Sequence, residues 1–80
     1  MTIGTAIRLR ILALCDARCI TVNKLCTICG ITQSTVNNIV SGRNNSTTIS
    51  TIKKICDGLN ISITYFFTDT VFENLEQEIK

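Results

Sequence analysis

Residues 21–42 read TVNKLCTICGITQSTVNNIVSG, and the pattern of this stretch decides the fold. In its first half Leu25, Cys26, Ile28 and Cys29 fall at spacings of one, three and four, the stripe of a short helix with one buried face. Gly30 stops that helix, because glycine takes the left-handed backbone that closes a helix C-terminus and reverses the chain. Ile31 is the apolar residue of the turn and Thr32 an N-cap for the next helix. In that second helix Val36, Ile39 and Val40 share one face, while Gln33, Ser34, Asn37, Asn38 and Ser41 share the other. A solvated helix face is normally filled with Lys and Glu. A face of uncharged amides and hydroxyls is instead suited to reading hydrogen-bonding groups.

The rest of the chain must be built around this unit. Eighty residues make one domain, of which only about 60% of the unfolded surface can be buried, so every helix has to serve a single core. The absence of Pro and the scarcity of alternating runs point to an all-α chain. The uncharged run 25–42 is half polar and contains a turn, so it is not a membrane span, and residues 1–6 lack the pattern of a signal peptide. The expected compartment is cytoplasmic. Net charge is +2, but unevenly spread: residues 1–68 hold seven basic and two acidic side chains, residues 69–80 one basic and four acidic. A body at +5 suits a polyanion; a tail at −3 does not.

Five cysteines raise the question of metal or disulfide chemistry. Cys15, Cys19, Cys26 and Cys29 are spaced C-x3-C-x6-C-x2-C, a central gap too short for the usual zinc modules, and the chain has no His. Cys15, Cys26, Cys29 and Cys56 fall on apolar stripes and read as small core hydrophobes, while Cys19 beside Arg18 is the expected exposed thiol. No metal, cofactor or small-molecule substrate is expected. Nor is an enzyme, since the six carboxylates are scattered or confined to the tail.

Working outward, residues 4–18 form a first helix with Ile7, Ile11, Leu14 and Cys15 inward; Arg8 and Arg10 lie off the stripe, serving either solubility or a phosphate contact. Thr21 caps the second helix, and its first-turn amides make an anion-friendly start. After the third helix comes the polar loop SGRNNSTT, residues 41–48. Thr48 caps a fourth helix over 49–59 with Ile52, Ile55, Cys56 and Leu59 inward, Asn60 closes it, and Ser62 caps a short fifth helix over 63–67. Tyr65, Phe66 and Phe67 are assigned to the core. Residues 70–80, TVFENLEQEIK, space Val71, Phe72, Leu75 and Ile79 as an amphipathic C-terminal helix that either folds back on its own chain or pairs with a second copy.

These positions resemble the helix-turn-helix family of phage repressors and Cro proteins, the XRE family, from about Ile11 to Phe67. The matching residues are Ile11, Leu14, Thr21, Leu25, Cys26, Gly30, Ile31, Thr32, Val36, Ile39, Gly42, Thr48, Ile52, Ile55, Leu59, Ile61 and Phe66. The resemblance implies a compact five-helix, lambda-repressor-like domain over residues 1–68; the acidic amphipathic tail over 69–80, outside the resemblance, is a candidate dimerisation element. It implies a transcriptional regulator, most simply a repressor, that binds double-stranded DNA in the major groove; the small number of basic residues and the tail add the expectation of a homodimer. Gln33, Ser34, Thr35, Asn37 and Asn38 would then read bases, and Thr21, Val22, Thr32, Arg43, Asn44 and Asn45 would meet the DNA backbone. Two departures stand out. Where many members bury an Arg of the first helix against a Glu near the end of the third, this chain has Cys15 and Val40; where relatives often hold a phosphate with Gln, it has Val22, which offers only its backbone N–H. The alternative is an antitoxin-like or adaptor module that uses the same fold to hold a protein.

Overall fold

The computed structural model describes residues 1–41, 47–77 and 79. Its helices run α1 Ile3–Ala17, α2 Val22–Cys29, α3 Gln33–Val40, α4 Ile49–Leu59 and α5 Ile63–Phe66, with a 3-10 turn Thr70–Phe72 after them. Each α-helix begins at a hydroxyl. Thr2, Thr21, Thr32, Thr48 and Ser62 all have extended backbone, and each side-chain oxygen accepts the N–H of the third residue beyond it. In three of the caps that third residue is itself a threonine whose hydroxyl closes the pair, at 3.0 Å for Thr2 and Thr5, 2.8 Å for Thr32 and Thr35 and 2.9 Å for Thr48 and Thr51. The hydroxyl pair differs from a capping box, in which a Glu at that position accepts from the N-cap N–H, because here hydroxyl meets hydroxyl. The helix ends are equally local: Gly30 and Asn60 stop α2 and α4 in the left-handed conformation, at φ 66° and 58°.

Ile7, Ile11, Leu14 and Cys15 of α1 meet Leu25 of α2, Ile39 of α3, Ile52, Ile55, Cys56 and Leu59 of α4, and Phe66 of α5 in one buried cluster. α2 packs most heavily on α4, and α1 on α3 and on the 3-10 turn. Gly58 makes the α2–α4 approach feasible. A methyl there would fall on the Cys29 thiol, 3.0 Å from the Cys29 Cα and 3.1 Å from Ile28 Cγ2. Gly58→Ala should therefore lower the urea midpoint, because overpacking at about 1–3 kcal/mol outweighs the roughly 1 kcal/mol of helix propensity gained. A raised midpoint would show that the two helices can separate freely.

The structure corrects four sequence expectations. Ile28 is 40% exposed, because the inner face of α2 is taken by Leu25 and Cys26 and Ile28 falls at its rim. Tyr65 is 53% exposed, one helical step outward from the fully buried Phe66. Arg10 is neither a solubilising side chain nor a phosphate ligand: it is 9% exposed and turned inward. Its Nε donates to the Phe66 carbonyl at 2.8 Å, Nη2 to the Tyr65 carbonyl at 3.0 Å and Nη1 to Asp69 Oδ2 at 3.2 Å, with its guanidinium 5.3 Å from the centre of the Tyr65 ring. The chain thus does bury an arginine of its first helix, with Asp69 as the carboxylate, while Cys15 packs in the core and Val40 against it.

The fourth correction concerns the C-terminal helix. Beyond the single turn Thr70–Phe72, the described residues of the tail are not helical. Asp69 caps that turn through Val71 N–H at 2.9 Å, and Phe72 closes on Phe67 and Phe66 with ring centres 4.9 and 6.1 Å away. The chain then runs across the start of α1, where Glu76 N–H donates to the Met1 carbonyl at 2.9 Å and the Met1 amine to the Asn74 carbonyl at 3.4 Å. An isolated helix of this length is marginal in water, and an aromatic anchor plus pairing to Met1 competes with it successfully. Val71, Phe72 and Leu75 are half-buried, and Ile79 remains 88% exposed.

Cys15, Cys26 and Cys56 are buried, Cys29 is half-buried and Cys19 is exposed. Burial first, then the neighbouring thiols of Cys15, Cys26 and Cys56, pushes Cys29 up to about 11 from the ordinary 9.0. Burial also raises Cys15 and Cys56. A thiol raised in the folded state binds more protons folded than unfolded, so its stabilising effect is complete below pH 9 and declines from there towards 11. Urea unfolding under reducing conditions should show midpoints falling as pH rises from about 9 to about 10.5, less steeply in Cys29→Ala. Equal slopes would remove Cys29 as a cause.

Candidate nucleic-acid interface

Two short helices and the turn between them form the candidate surface. Ile31 N–H donates back to the Cys26 carbonyl at 3.2 Å, fixing the turn after Gly30, and α3 then lies with Val36 and Ile39 buried, held by α1 and α2. With the inner face so committed, Gln33, Ser34, Asn37 and Asn38 are exposed together. At about 100° per residue they cover an arc of roughly 140°. Thr35 differs from them. It is half-buried, and its hydroxyl is 2.8 Å from that of Thr32, so its methyl is the more available part.

The residues assigned to a polyanion's backbone divide into two groups. Thr21 and Thr32 are exposed, and Val22 is half-buried. Each Thr oxygen accepts one amide, that of Lys24 at 3.1 Å and that of Thr35 at 3.3 Å. The amides of Val22 and Asn23, and of Gln33 and Ser34, have no acceptor within their helices and lie at the positive end of the helix dipole. Arg43, Asn44 and Asn45 lie outside the described residues. Lys24 is the only charged side chain between residues 21 and 41, so nothing on this surface repels a polyanion.

One contact escaped the reading of the sequence. Gln33 Nε2 donates to Asn23 Oδ1 at 2.6 Å, joining the second residue of α2 to the first of α3. Asn23 lies on an outward face without apolar periodicity, so only the crossing of the two helices reveals its partner. No group of three or more His, Cys, Asp or Glu among the described residues is arranged to hold a metal ion, and no helix among them is long and apolar enough to cross a membrane.

The family described as the Cro/C1-type HTH DNA-binding domain matches residues 10–68, a span that runs from the buried Arg10 through all of α2 to α5. The chain belongs to this Cro/C1-type family. Among solved structures it is similar to the prophage Lp1 protein 11, known from a crystal structure, with 33% identity and a TM-score of 0.82 over 94% of this chain and 99% of that one. No curated protein sequence matches it. The Cro/C1-type domain is a DNA-binding unit of transcription regulators, and its helix-turn-helix in this chain is α2, the turn at Gly30 and α3.

Proposed function

We propose that the chain is a transcriptional repressor that reads double-stranded DNA in the major groove with α3, binding as a homodimer. The observation that carries this reading is the outer face of α3, where four exposed, uncharged hydrogen-bonding side chains stand together on a helix whose other face is buried. Gln33 and Asn38 are the proposed adenine readers, since a side-chain amide pairs with adenine N6 and N7 in bidentate fashion. Ser34 and Asn37 supply further polar contacts, and Thr35 offers a methyl to thymine. Thr21, Val22 and Thr32, with Arg43, Asn44 and Asn45 beyond α3 in the sequence, would meet the phosphates.

The dimer is expected on energetic grounds. A body with seven basic residues, one of them the inward-turned Arg10, neutralises few phosphates, so tight binding requires two copies on half-sites about 34–36 Å apart. Ile79, left exposed beyond the part of the tail that folds onto its own chain, is the proposed contact between copies. Selection of bound duplexes from a random pool tests the proposal. A recovered palindrome whose binding weakens steeply with salt, together with a two-copy mass on DNA, is the expected result; absence of enrichment at any salt would overturn the reading in favour of a protein-binding module.

A further inference from the structure

Four of the five cysteines gather where α1, α2 and α4 meet. Cys15 and Cys56 lie inside the core cluster and Cys26 is buried on α2, while Cys29, the last residue of α2, packs against the cluster but is only half-buried. We propose that Cys26 and Cys29 are a reversible redox modification site, whose disulfide unseats the turn that leads into α3. Its consequence for DNA rests on the reading above.

Helix geometry decides which thiols pair. Residues three apart on an α-helix have Cα atoms about 5 Å apart, inside the roughly 4.4–6.8 Å that a disulfide spans. Their Cβ atoms stand about 5–6 Å apart and must close to about 3.5–4.5 Å, so the last turn of α2 leaves helical geometry when the bond forms. The turn beyond it hangs on that geometry. The Cys26 carbonyl accepts both the Gly30 N–H and, at 3.2 Å, the Ile31 N–H, so one acceptor holds the two residues between the helices. On its other side the Cys29 thiol donates to the Ile55 carbonyl of α4 at 3.7 Å, where Gly58 leaves it room. Swinging the sulphur towards Cys26 gives up that contact as well. A disulfide strained in this way is easily reduced, which makes the change reversible.

The oxidant is a low-molecular-weight disulfide. The Cys29 thiolate attacks one of its sulphurs, breaking the S–S bond and releasing one half, which takes up the proton that Cys29 gave. The Cys26 thiolate then attacks the Cys29 sulphur of the mixed disulfide and releases the second half, which takes up the Cys26 proton. Two protein thiols are thereby oxidised to one disulfide and the oxidant is reduced to two thiols. Cys29 is the point of entry because it alone of the four is not buried. Burial first, and then the other three thiols, hold it up at about 11, so little of it is thiolate at neutral pH. The site therefore responds to sustained oxidation rather than to a brief exposure.

The test incubates the full chain with excess oxidised glutathione at about pH 9, where thiolate is more plentiful, then alkylates the free thiols and cuts after Lys and Arg. Cys26 and Cys29 fall together on the fragment between Lys24 and Arg43, whereas Cys15, Cys19 and Cys56 fall on others. That fragment should be unalkylated and lighter by two hydrogens. Amide hydrogen exchange at Gly30 and Ile31 should be faster by about tenfold or more than in the reduced chain, because their shared acceptor has moved. Affinity for the selected duplex should fall by about tenfold or more, as expected for contacts displaced by roughly 1 Å, and return with a reducing dithiol. Cys26→Ala and Cys29→Ala should each bind as the reduced chain does and lose the response to oxidant. A link from this fragment to the one holding Cys15 or Cys56, a glutathione adduct that never closes, or a closed pair with unchanged exchange at Gly30 and Ile31 would overturn the inference. The peptide and exchange readouts need no DNA, so wild-type chain that enriches no duplex overturns the DNA-reading proposal alone. A chain that does enrich one, and whose closed pair leaves that affinity unchanged, overturns the regulatory role of this site alone.

Discussion

Arg10→Ala is expected to lower the unfolding free energy by about 2–4 kcal/mol, a large share of the roughly 4–12 kcal/mol available to an 80-residue domain. The melting temperature should fall by at least about 10 °C. The loss comes from what the guanidinium leaves behind rather than from the ion pair. Asp69 is 37% exposed at its side chain, so water screens the pair, and it contributes little by itself. The carbonyls of Phe66 and Tyr65 are different, because they receive their donors from a side chain only 10% exposed. Losing the Nε donor strands the Phe66 carbonyl at the junction of α5 and the 3-10 turn, while the Tyr65 carbonyl keeps the Thr68 N–H and hydroxyl as donors. Two companion variants separate these contributions. Asp69→Asn, which keeps an oxygen for the Val71 amide, should cost under about 1 kcal/mol. Arg10→Met restores the apolar stem but no donors, and should recover only a minor part of the loss. Were Arg10→Met as stable as wild type by thermal and urea unfolding, the carbonyl contacts would carry no weight.

Gln33→Ala with Asn38→Ala should weaken binding to the selected duplex by about 30-fold or more. Each bidentate amide–adenine pair contributes about 1–3 kcal/mol, and contacts at separate base pairs add roughly. Both side chains are exposed on α3, so thermal stability should move by no more than about 0.5 kcal/mol, and a loss of folding cannot imitate the result. Affinity for an unrelated duplex should stay nearly constant, because phosphate contacts dominate there. Titration on both duplexes decides the matter: equal losses on the two, or none on either, would remove base reading from these residues.

The sequence carried the helix order because the signals that set it are local. A hydroxyl cap acts on an amide three residues away, and a left-handed Gly30 or Asn60 acts on the turn it closes, so Thr21, Thr32, Thr48 and Ser62 could be read directly. The outer face of α3 was legible for a related reason, since burial of Val36 and Ile39 leaves the other side chains no inward option. Periodicity misled at the rim and in the tail. Arg10 stands one helical step from the core residue Ile11, and only partners 55 to 59 residues away turn it inward. The stripe of residues 71–79 satisfies a helical period, yet contacts of Phe72 with other aromatic rings and of Glu76 with Met1 outweigh it. Asn23 was missed because a polar residue on a polar face gives no sign of its partner until two helices cross.

The spans bridged by Arg10 also bear on how much of the chain must be present before the helix-turn-helix is held rigid. The helix-turn-helix is continuous between residues 22 and 40, and its short helices could flicker into shape as soon as they leave the ribosome. The helix that holds α3 from behind is anchored by carbonyls at residues 65 and 66 and by a carboxylate at residue 69. A nascent chain stopped short of those residues carries the entire recognition sequence without the means to keep it rigid. Rigidity of these two helices therefore depends on residues 65–69, which close onto the first helix through Arg10.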